Sequence, residues 1–366
     1  MGSADRCRGN RAPFPGRPFL GLFGKNHAGR ARISGARLRL LPFGTLSSRG
    51  LNPSMIFTPT RPALLHNTHS GPLYRSFLHR RIARRFTELY PRGLYIPTGS
   101  PDDVSPALSR IRQFQPDLLL VGGGDGTVNA LLQHEFPEEL PLLILPLGTA
   151  NILSYSLYRT RWPLINLIPA DPVPKTLPLG HWESRRFLLM AGIGFDGAAE
   201  RHVSKKVKNL LGSVAYFLAA FHTWLEWKMT ENYWIERENG KARKRGPSLW
   251  LVASRFPVYF PPLVLSKDRT IFENQLGLTV FSGDTRFEFL LFLMHRLLKP
   301  FSDPWFGYRT CVKSIRLVAA GRGQTDGETW EGEGILATSD RYVTLLFSRS
   351  VLDGIERNIK KSGSVK

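Results

Sequence analysis

Four glycines surround a single acid in Leu118-Leu-Leu-Val-Gly-Gly-Gly-Asp-Gly-Thr-Val-Asn129. An apolar run of strand character ends in Gly122, Gly123 and Gly124. Asp125, Gly126 and Thr127 then lead into a helix-like continuation through Asn129. Glycines let a backbone approach an anion closely, and a helix that starts there aims its positive end at it. The pattern predicts a phosphate cradle at the C-terminal end of a strand, where open α/β sheets bind ligands. A second such element, Leu145-Pro-Leu-Gly-Thr-Ala-Asn151, also follows a strand; Gly148 offers a turn backbone and Thr149 a hydroxyl. A third, Asn67-Thr-His-Ser-Gly71, follows the first predicted strand and brings Asn67, Ser70 and Gly71. One glycine loop alone is more often a tight turn, whereas three at neighbouring strand ends imply one shared ligand.

Apolar periodicity supplies the elements that must hold these loops. Strands are expected at 62–67, 93–98, 117–121 and 140–145, with helices at 73–90, 101–114 and 127–134 between them. The alternation argues a parallel, doubly wound sheet. Beyond about Tyr158 short strand-like pieces dominate, at 186–191, 249–253, 277–281, 313–318, 335–337 and 342–347. Two apolar helices, at 208–228 and 287–299, interrupt them. The expected organisation is a basic, disordered segment 1–57, an α/β nucleotide-binding domain 58–157, a β-sandwich domain 158–347, and a C-terminal helix or basic tail 348–366 that packs back on the first domain.

The chain has 366 residues, 42% hydrophobic and 22% charged, with a net charge of +21. That length and composition describe a folded protein of about two domains, and the charge favours anionic partners. Its two cysteines, Cys7 and Cys311, form no zinc or disulfide pattern and fit a reducing compartment. The stretch 209–225 falls short of the ~20 apolar residues of a membrane span. Residues 1–54 carry nine arginines and one lysine against Asp5 alone. Such a segment fits a targeting peptide, a polyanion-binding arm, or upstream sequence ahead of Met55.

The motifs together resemble the diacylglycerol-kinase catalytic domain family of lipid kinases, which also holds sphingosine and ceramide kinases. Gly-Gly-Asp-Gly-Thr at 123–127 looks like its nucleotide signature. Asn67-Thr-His-Ser-Gly71 resembles its Asn-Pro-x-Ser-Gly turn, with Thr68 in place of proline, and Pro146-Leu-Gly-Thr-Ala-Asn151 its Pro-x-Gly-Thr-x-Asn-Asp motif. Gly192-Ile-Gly-Phe-Asp196 and Asp326-Gly-Glu328 match two later motifs. The resemblance runs over roughly residues 58–350. It implies an α/β domain against a β-sandwich domain with the active site in the cleft between them, ATP and Mg2+ as cofactors, and phosphoryl transfer to a lipid hydroxyl. It places ATP at Thr98, Gly123 to Asn129 and Thr149, and the proton acceptor at Glu328, with Asp326 beside it.

The acids have plainer readings too. Asp125 could be a metal ligand, a loop anchor or a helix cap. Asp326 and Glu328 lie in what reads as an exposed polar turn. Asp196 could be a buried acid that holds Gly192 and Gly194 in place. Two departures remove carboxylates: Ile152 stands where the motif has its second acid, and the family's Asp-Asp-Gly, which helps hold a structural magnesium in some bacterial members, appears as Glu273-Asn-Gln or Asn274-Gln-Leu. Magnesium prefers oxygen ligands, usually carboxylates among them, so a structural metal site is expected to be weak or absent.

The expected function is an ATP-dependent lipid kinase acting on a diacylglycerol-like lipid, cytoplasmic and peripherally attached to an anionic membrane. The helices at 207–227 and 287–301, and the arginines Arg75, Arg80, Arg81, Arg84 and Arg85, could serve that surface, or be core helices and a solvated face. No nucleic-acid partner is expected. The rivals are an NAD kinase, which shares the Gly-Gly-Asp-Gly-Thr loop, and a non-catalytic nucleotide- or lipid-binding relative.

Overall fold

A computed structural model describes residues 58–72, 76–163, 167–197, 222–225, 232–238, 241–248, 250–261, 263–266, 268–298, 302–304, 306–319 and 322–363. The segment 1–57, and most of the helix expected at 208–228, lie outside the described residues.

The first half alternates as the periodicity predicts. Strands β1 (Pro62–Asn67), β2 (Leu94–Thr98), β3 (Leu118–Gly123) and β4 (Leu142–Pro146) are parallel, in the order β2-β1-β3-β4. Between and after them lie α1 (Ser76–Leu89), α2 (Val104–Phe114), α3 (Asp125–Leu132) and α4 (Ile152–Tyr158). Every residue of β3 is buried, as a parallel strand covered on both faces requires. Leu118 and Leu120 pack with Leu78, Ile82 and Phe86 of α1. Leu119 and Val121 face the other way, into a cluster with Leu108 and Ile111 of α2 and Val128 of α3. The sheet is thus doubly wound.

The second half is antiparallel. Its strands are β5 (Pro172–Trp182), β6 (Arg185–Phe187), β7 (Met190–Gly194), β8 (Asn232–Glu238), β9 (Lys241–Ser248), β10 (Trp250–Ser254), β11 (Val258–Phe260), β12 (Leu263–Val264), β13 (Leu276–Phe281), β14 (Gly307–Val312), β15 (Ser314–Ala319), β16 (Arg322–Thr325), β17 (Glu328–Glu331) and β18 (Gly334–Ser348). Helix α5 (Arg286–Leu298) follows β13, and α6 (Arg349–Gly363) ends the described chain. One sheet has the order β14-β13-β10-β7-β16-β17. The other extends the parallel sheet through β18, which carries β15 and β5 antiparallel to it and lies beside β4 at Leu345 and Leu142. Trp182, Ile193, Leu251, Leu278, Ile315 and Leu336 fill the space between the two sheets, which makes this half a sandwich.

Three expected strands differ. The pieces at 335–337 and 342–347 are one strand, β18, whose register against β5 shifts between Thr338 and Tyr342. A bulge takes up the polar Ser339-Asp-Arg341 without ending the strand. The piece at 186–191 is two strands, because the amides of Leu188, Leu189 and Met190 bind the Asp326 carboxylate. In α6, Val351, Leu352 and Ile355 join a cluster that includes Leu153 and Leu157 of α4. Among the described residues no helix is long and apolar enough to cross a membrane.

Candidate functional site

The order β1-β3-β4 sets the three expected loops side by side along one edge of the sheet. Their backbones touch. A Cβ on Gly71, whose φ is +80°, would overlap the Leu147 carbonyl oxygen, and a Cβ on Gly124 would lie 3.0 Å from the Gly148 Cα. Only glycine permits both approaches. The Gly123 carbonyl accepts from the amides of Leu147 (2.8 Å) and Gly148 (3.2 Å), and a Cβ on Gly123 would overlap the Thr127 side chain. Asn67 Nδ2 donates to Thr127 Oγ1 at 3.0 Å, tying the first loop to the second, while Asn67 Oδ1 accepts from the His69 amide. The Ser70 hydroxyl donates to the Asn67 carbonyl. Gly122 and Gly126 complete the second loop, from which α3 starts with Gly124 as its N-cap. The result is a cradle of backbone groups at a helix N-terminus, which favours an anion.

Thr98, at the end of β2, is buried, and its carbonyl accepts from both the amide (2.9 Å) and the hydroxyl (3.1 Å) of Thr68. Proline, which the resembled motif has at 68, carries no N–H for this link. The Thr149 carbonyl is held by Arg161 Nη2 and the Ala150 carbonyl by Arg161 Nε. The hydroxyls of Thr98 and Thr149 make no hydrogen bond among the described residues. Asn151, beside them at φ +51°, donates to the Gly148 carbonyl at 2.9 Å, and its buried Oδ1 has no partner.

The four acids do four different things. Asp125 accepts the amides of Ile152 (3.0 Å) and Leu153 (3.1 Å), so it caps α4 and anchors the third loop to the second. Both oxygens face protein donors, which suits the loop anchor rather than the metal ligand. Where Ile152 lacks the motif's second acid, its amide is what Asp125 holds. Asp196 is buried against Gly192 and accepts from Trp250 Nε1 (2.6 Å), Tyr259 OH (2.6 Å) and Gln324 Nε2 (3.1 Å). Burial raises its pKa against those three donors.

Asp326 and Gly327, at φ +49° and +84°, form the two-residue turn between β16 and β17 that an Asp-Gly pair favours. The turn is not exposed at Asp326, which is 9% accessible. Its carboxylate accepts the amides of Leu188 (2.7 Å), Leu189 (2.8 Å) and Met190 (2.9 Å), and Asn129 Nδ2 at 3.1 Å. Burial nonetheless pushes its pKa up to about 6. With four donors on two oxygens, Asp326 positions the turn and joins it to α3. Asn129, expected at the nucleotide, spends its amide on this joint and on Gln133. Glu328 alone is exposed and free of hydrogen bonds among the described residues. Its Oε1 lies 3.4 Å from where a Cβ on Gly126 would stand, so the sandwich hairpin delivers one open carboxylate to the glycine loop.

The residues do not fit a resident metal. Among the described residues no three His, Cys, Asp or Glu side chains are grouped as ligands. At the segment that replaces the resembled family's Asp-Asp-Gly, a guanidinium stands. Arg255 is fully buried, and its Nη1 donates to the carbonyls of Thr270 (2.9 Å), Glu273 (2.6 Å) and Gln275 (3.1 Å). Burial lowers its pKa to about 10, so it remains charged at neutral pH. The segment 270–275 is gathered by a side-chain cation.

Helix α5 is apolar on two faces. Phe289 and Phe292 are buried with Trp250 and Phe281. Phe287, Leu290, Leu291, Met294, Leu297 and Leu298 are exposed, the last at 72%. Their spacing puts all six on one outward stripe.

Of the expected residues, the structure brings together Asn67, Gly71, Gly122–Thr127, Gly148 and Glu328, with Thr98 and Thr149 at the loop ends. Asn151 and Arg161 were missed. A histidine near the end of the apolar strand Pro62–Asn67 is the visible signal for a further polar network.

Residues 61–173 match the family model of the diacylglycerol kinase catalytic domain. Over 102 residues, 27% of this chain, the sequence is 34% identical to a Pseudomonas aeruginosa protein named "Probable lipid kinase YegS-like", 34% of whose length is covered. Over 165 residues, 43% of this chain, it is 26% identical to the diacylglycerol kinase of Bacillus subtilis, 54% of whose length is covered. The chain thus spans about a third to a half of the curated relatives it matches. The crystal structure of a diacylglycerol kinase from Bacillus anthracis superposes with a TM-score of 0.59 over 81% of this chain and 99% of that one, at 17% identity, a likeness of fold. By the sequence matches, residues 61–173 of this chain are similar to the diacylglycerol kinase catalytic domain.

Proposed function

We propose that this protein is an ATP-dependent lipid kinase that phosphorylates the hydroxyl of a diacylglycerol-like lipid. The observation that carries the reading is the open Glu328 carboxylate set against Gly126, at the mouth of a cradle made from three glycine-bearing loops. Backbone groups of the cradle and the start of α3 hold the triphosphate, and the Thr98 and Thr149 hydroxyls reach the nucleotide. Magnesium arrives as the MgATP substrate and offsets phosphate charge. The lipid oxygen attacks the γ-phosphorus, its proton passes to Glu328, and the bond to the β-phosphate oxygen breaks, releasing ADP. Asp326 and Asn129 keep Glu328 in register with the loop.

The outward stripe of α5, with Arg286 at its start, would rest in the interface of an anionic bilayer, where the lipid is found. On this reading the enzyme is a peripheral membrane protein.

The test is transfer of labelled γ-phosphate from ATP to a panel of diacylglycerol, monoacylglycerol, ceramide, sphingosine and phosphatidylglycerol, with NAD as a competing acceptor. One labelled lipid, lost in Glu328→Gln while ATP still binds, is expected. Label on NAD alone would make the enzyme an NAD kinase, and ATP binding without any product would make it a non-catalytic relative.

A further inference from the structure

Beneath the first loop runs a chain of hydrogen-bonded rings. His66, the residue before Asn67 in β1, is 1% exposed. Its Nδ1 lies 3.0 Å from the Tyr95 hydroxyl and its Nε2 lies 2.9 Å from His79 Nδ1. His79 Nε2 lies 2.9 Å from the Ser70 carbonyl oxygen. The two imidazole planes are 16° apart with centroids 5.1 Å apart, which suits an in-plane bond between ring nitrogens.

The partners fix the protons. A carbonyl only accepts, so His79 Nε2 carries a proton. In a neutral ring its Nδ1 then accepts, so His66 Nε2 carries the next proton, and His66 Nδ1 accepts from Tyr95. Every link is satisfied with both rings uncharged. Burial keeps them so: it lowers His66 to about 4, with His79 adding to the effect, and lowers His79 as well.

The chain ends on the Ser70–Gly71 peptide. A planar trans peptide puts the Gly71 N–H on the side opposite the Ser70 carbonyl. With that carbonyl turned to His79, the N–H points away from the ring pair. No acceptor among the described residues takes it. Gly71 itself is wedged against the Leu147 carbonyl.

We propose that His66 and His79 are positioning residues for the nucleotide: they turn the Ser70–Gly71 peptide so that the Gly71 N–H faces the cradle and donates to a phosphate oxygen of the bound triphosphate. The proposal rests on the nucleotide-binding reading of this site. Neither ring touches the ligand. Their effect passes through one peptide plane, so it falls on triphosphate affinity and leaves turnover at saturating ATP and the KM for lipid unchanged.

Calorimetric titration of the full chain with MgATP and with magnesium tripolyphosphate tests it. His79→Leu should weaken both by about tenfold, the loss of one hydrogen bond to a charged group. His79→Gln, whose amide nitrogen can reach the Ser70 carbonyl, should recover most of it, and Tyr95→Phe should cost only about twofold. A folded His79→Leu that binds MgATP as tightly as the wild type overturns the proposal. If that variant does not fold, the wild type still decides: the Gly71 amide resonance should move downfield with tripolyphosphate, and an unmoved resonance overturns it. A wild type that binds neither probe overturns both this proposal and the kinase reading. One that binds MgATP but labels no lipid sinks the kinase reading alone.

Discussion

The loop edge of the parallel sheet and the hairpin between β16 and β17 meet at one point, Gly126 and Glu328, yet they are built on opposite plans. The loop edge works through backbone. Its glycines are there so that main chains can touch, and its acid, Asp125, is consumed in holding amides of the neighbouring loop. The hairpin works through side chains. It spends one acid, Asp326, on four donors and thereby holds a second, Glu328, open. Three carboxylates that look alike in sequence divide into two anchors and one open group. What separates them is how many donors the fold aims at each.

The largest test of that division is at Glu328. Glu328→Gln should lower turnover by about a hundredfold to ten-thousandfold, the usual worth of a positioned base. Thermal stability and MgATP affinity should stay near wild type, because the side chain is exposed and unbonded. Asp326→Asn should lower stability and turnover together. Equal behaviour of the two variants would break the comparison.

Arg255 carries the same logic into the sandwich. Arg255→Met should cost about 2–3 kcal/mol, since buried carbonyls at 270, 273 and 275 would lose their donor. A chelator should leave the melting temperature of the wild type unchanged. A fall on chelation would mean that a metal, and not the guanidinium, gathers this segment.

At the loop edge, Gly148→Ala should cost about 1–3 kcal/mol of stability and weaken MgATP binding, because a Cβ there overlaps Gly124. Asp125→Ala should cost less, ~0.5–2 kcal/mol, as the loss of a helix cap does. Its effect should appear in the KM for ATP through Thr149. Were Asp125→Ala to leave stability intact and abolish turnover, it would belong with Glu328.

Much of this was legible because the loop edge is local. Each of β1, β3 and β4 runs straight into its own glycine turn, so strand, turn and helix start are contiguous in the chain. The hairpin side was only half legible. Asp326-Gly-Glu328 was visible as a motif, but the donors that fill Asp326 come from Asn129 and from 188–190, more than 130 residues away. The same distance hid the break between β6 and β7, since nothing near Leu188 says that its amide is taken. His79 looked like one more polar residue beside the buried stripe of α1, and only the docking of that helix brings it to His66.

The smallest expected effect is also the sharpest on Asp326. Its folded pKa, raised to about 6, exceeds the ordinary aspartate value. Protonation is therefore easier in the folded chain than in the unfolded one, so between about pH 6 and 4 this group adds stability as pH falls. The contribution is lost again as pH rises through 6. Activity should run the other way. A proton on the carboxyl sets an O–H among N–H donors, and the link to Asn129, which ties the hairpin to α3, is the longest of the four and the first to give. Turnover should fall about twofold near pH 6 with no loss of thermal stability, because only the register between Glu328 and the glycine loop is disturbed. Asp326→Asn, which cannot titrate, should lose that limb from its pH profile. If the limb stays where it was, the titrating group is another one, and Asp326 is an anchor at every pH.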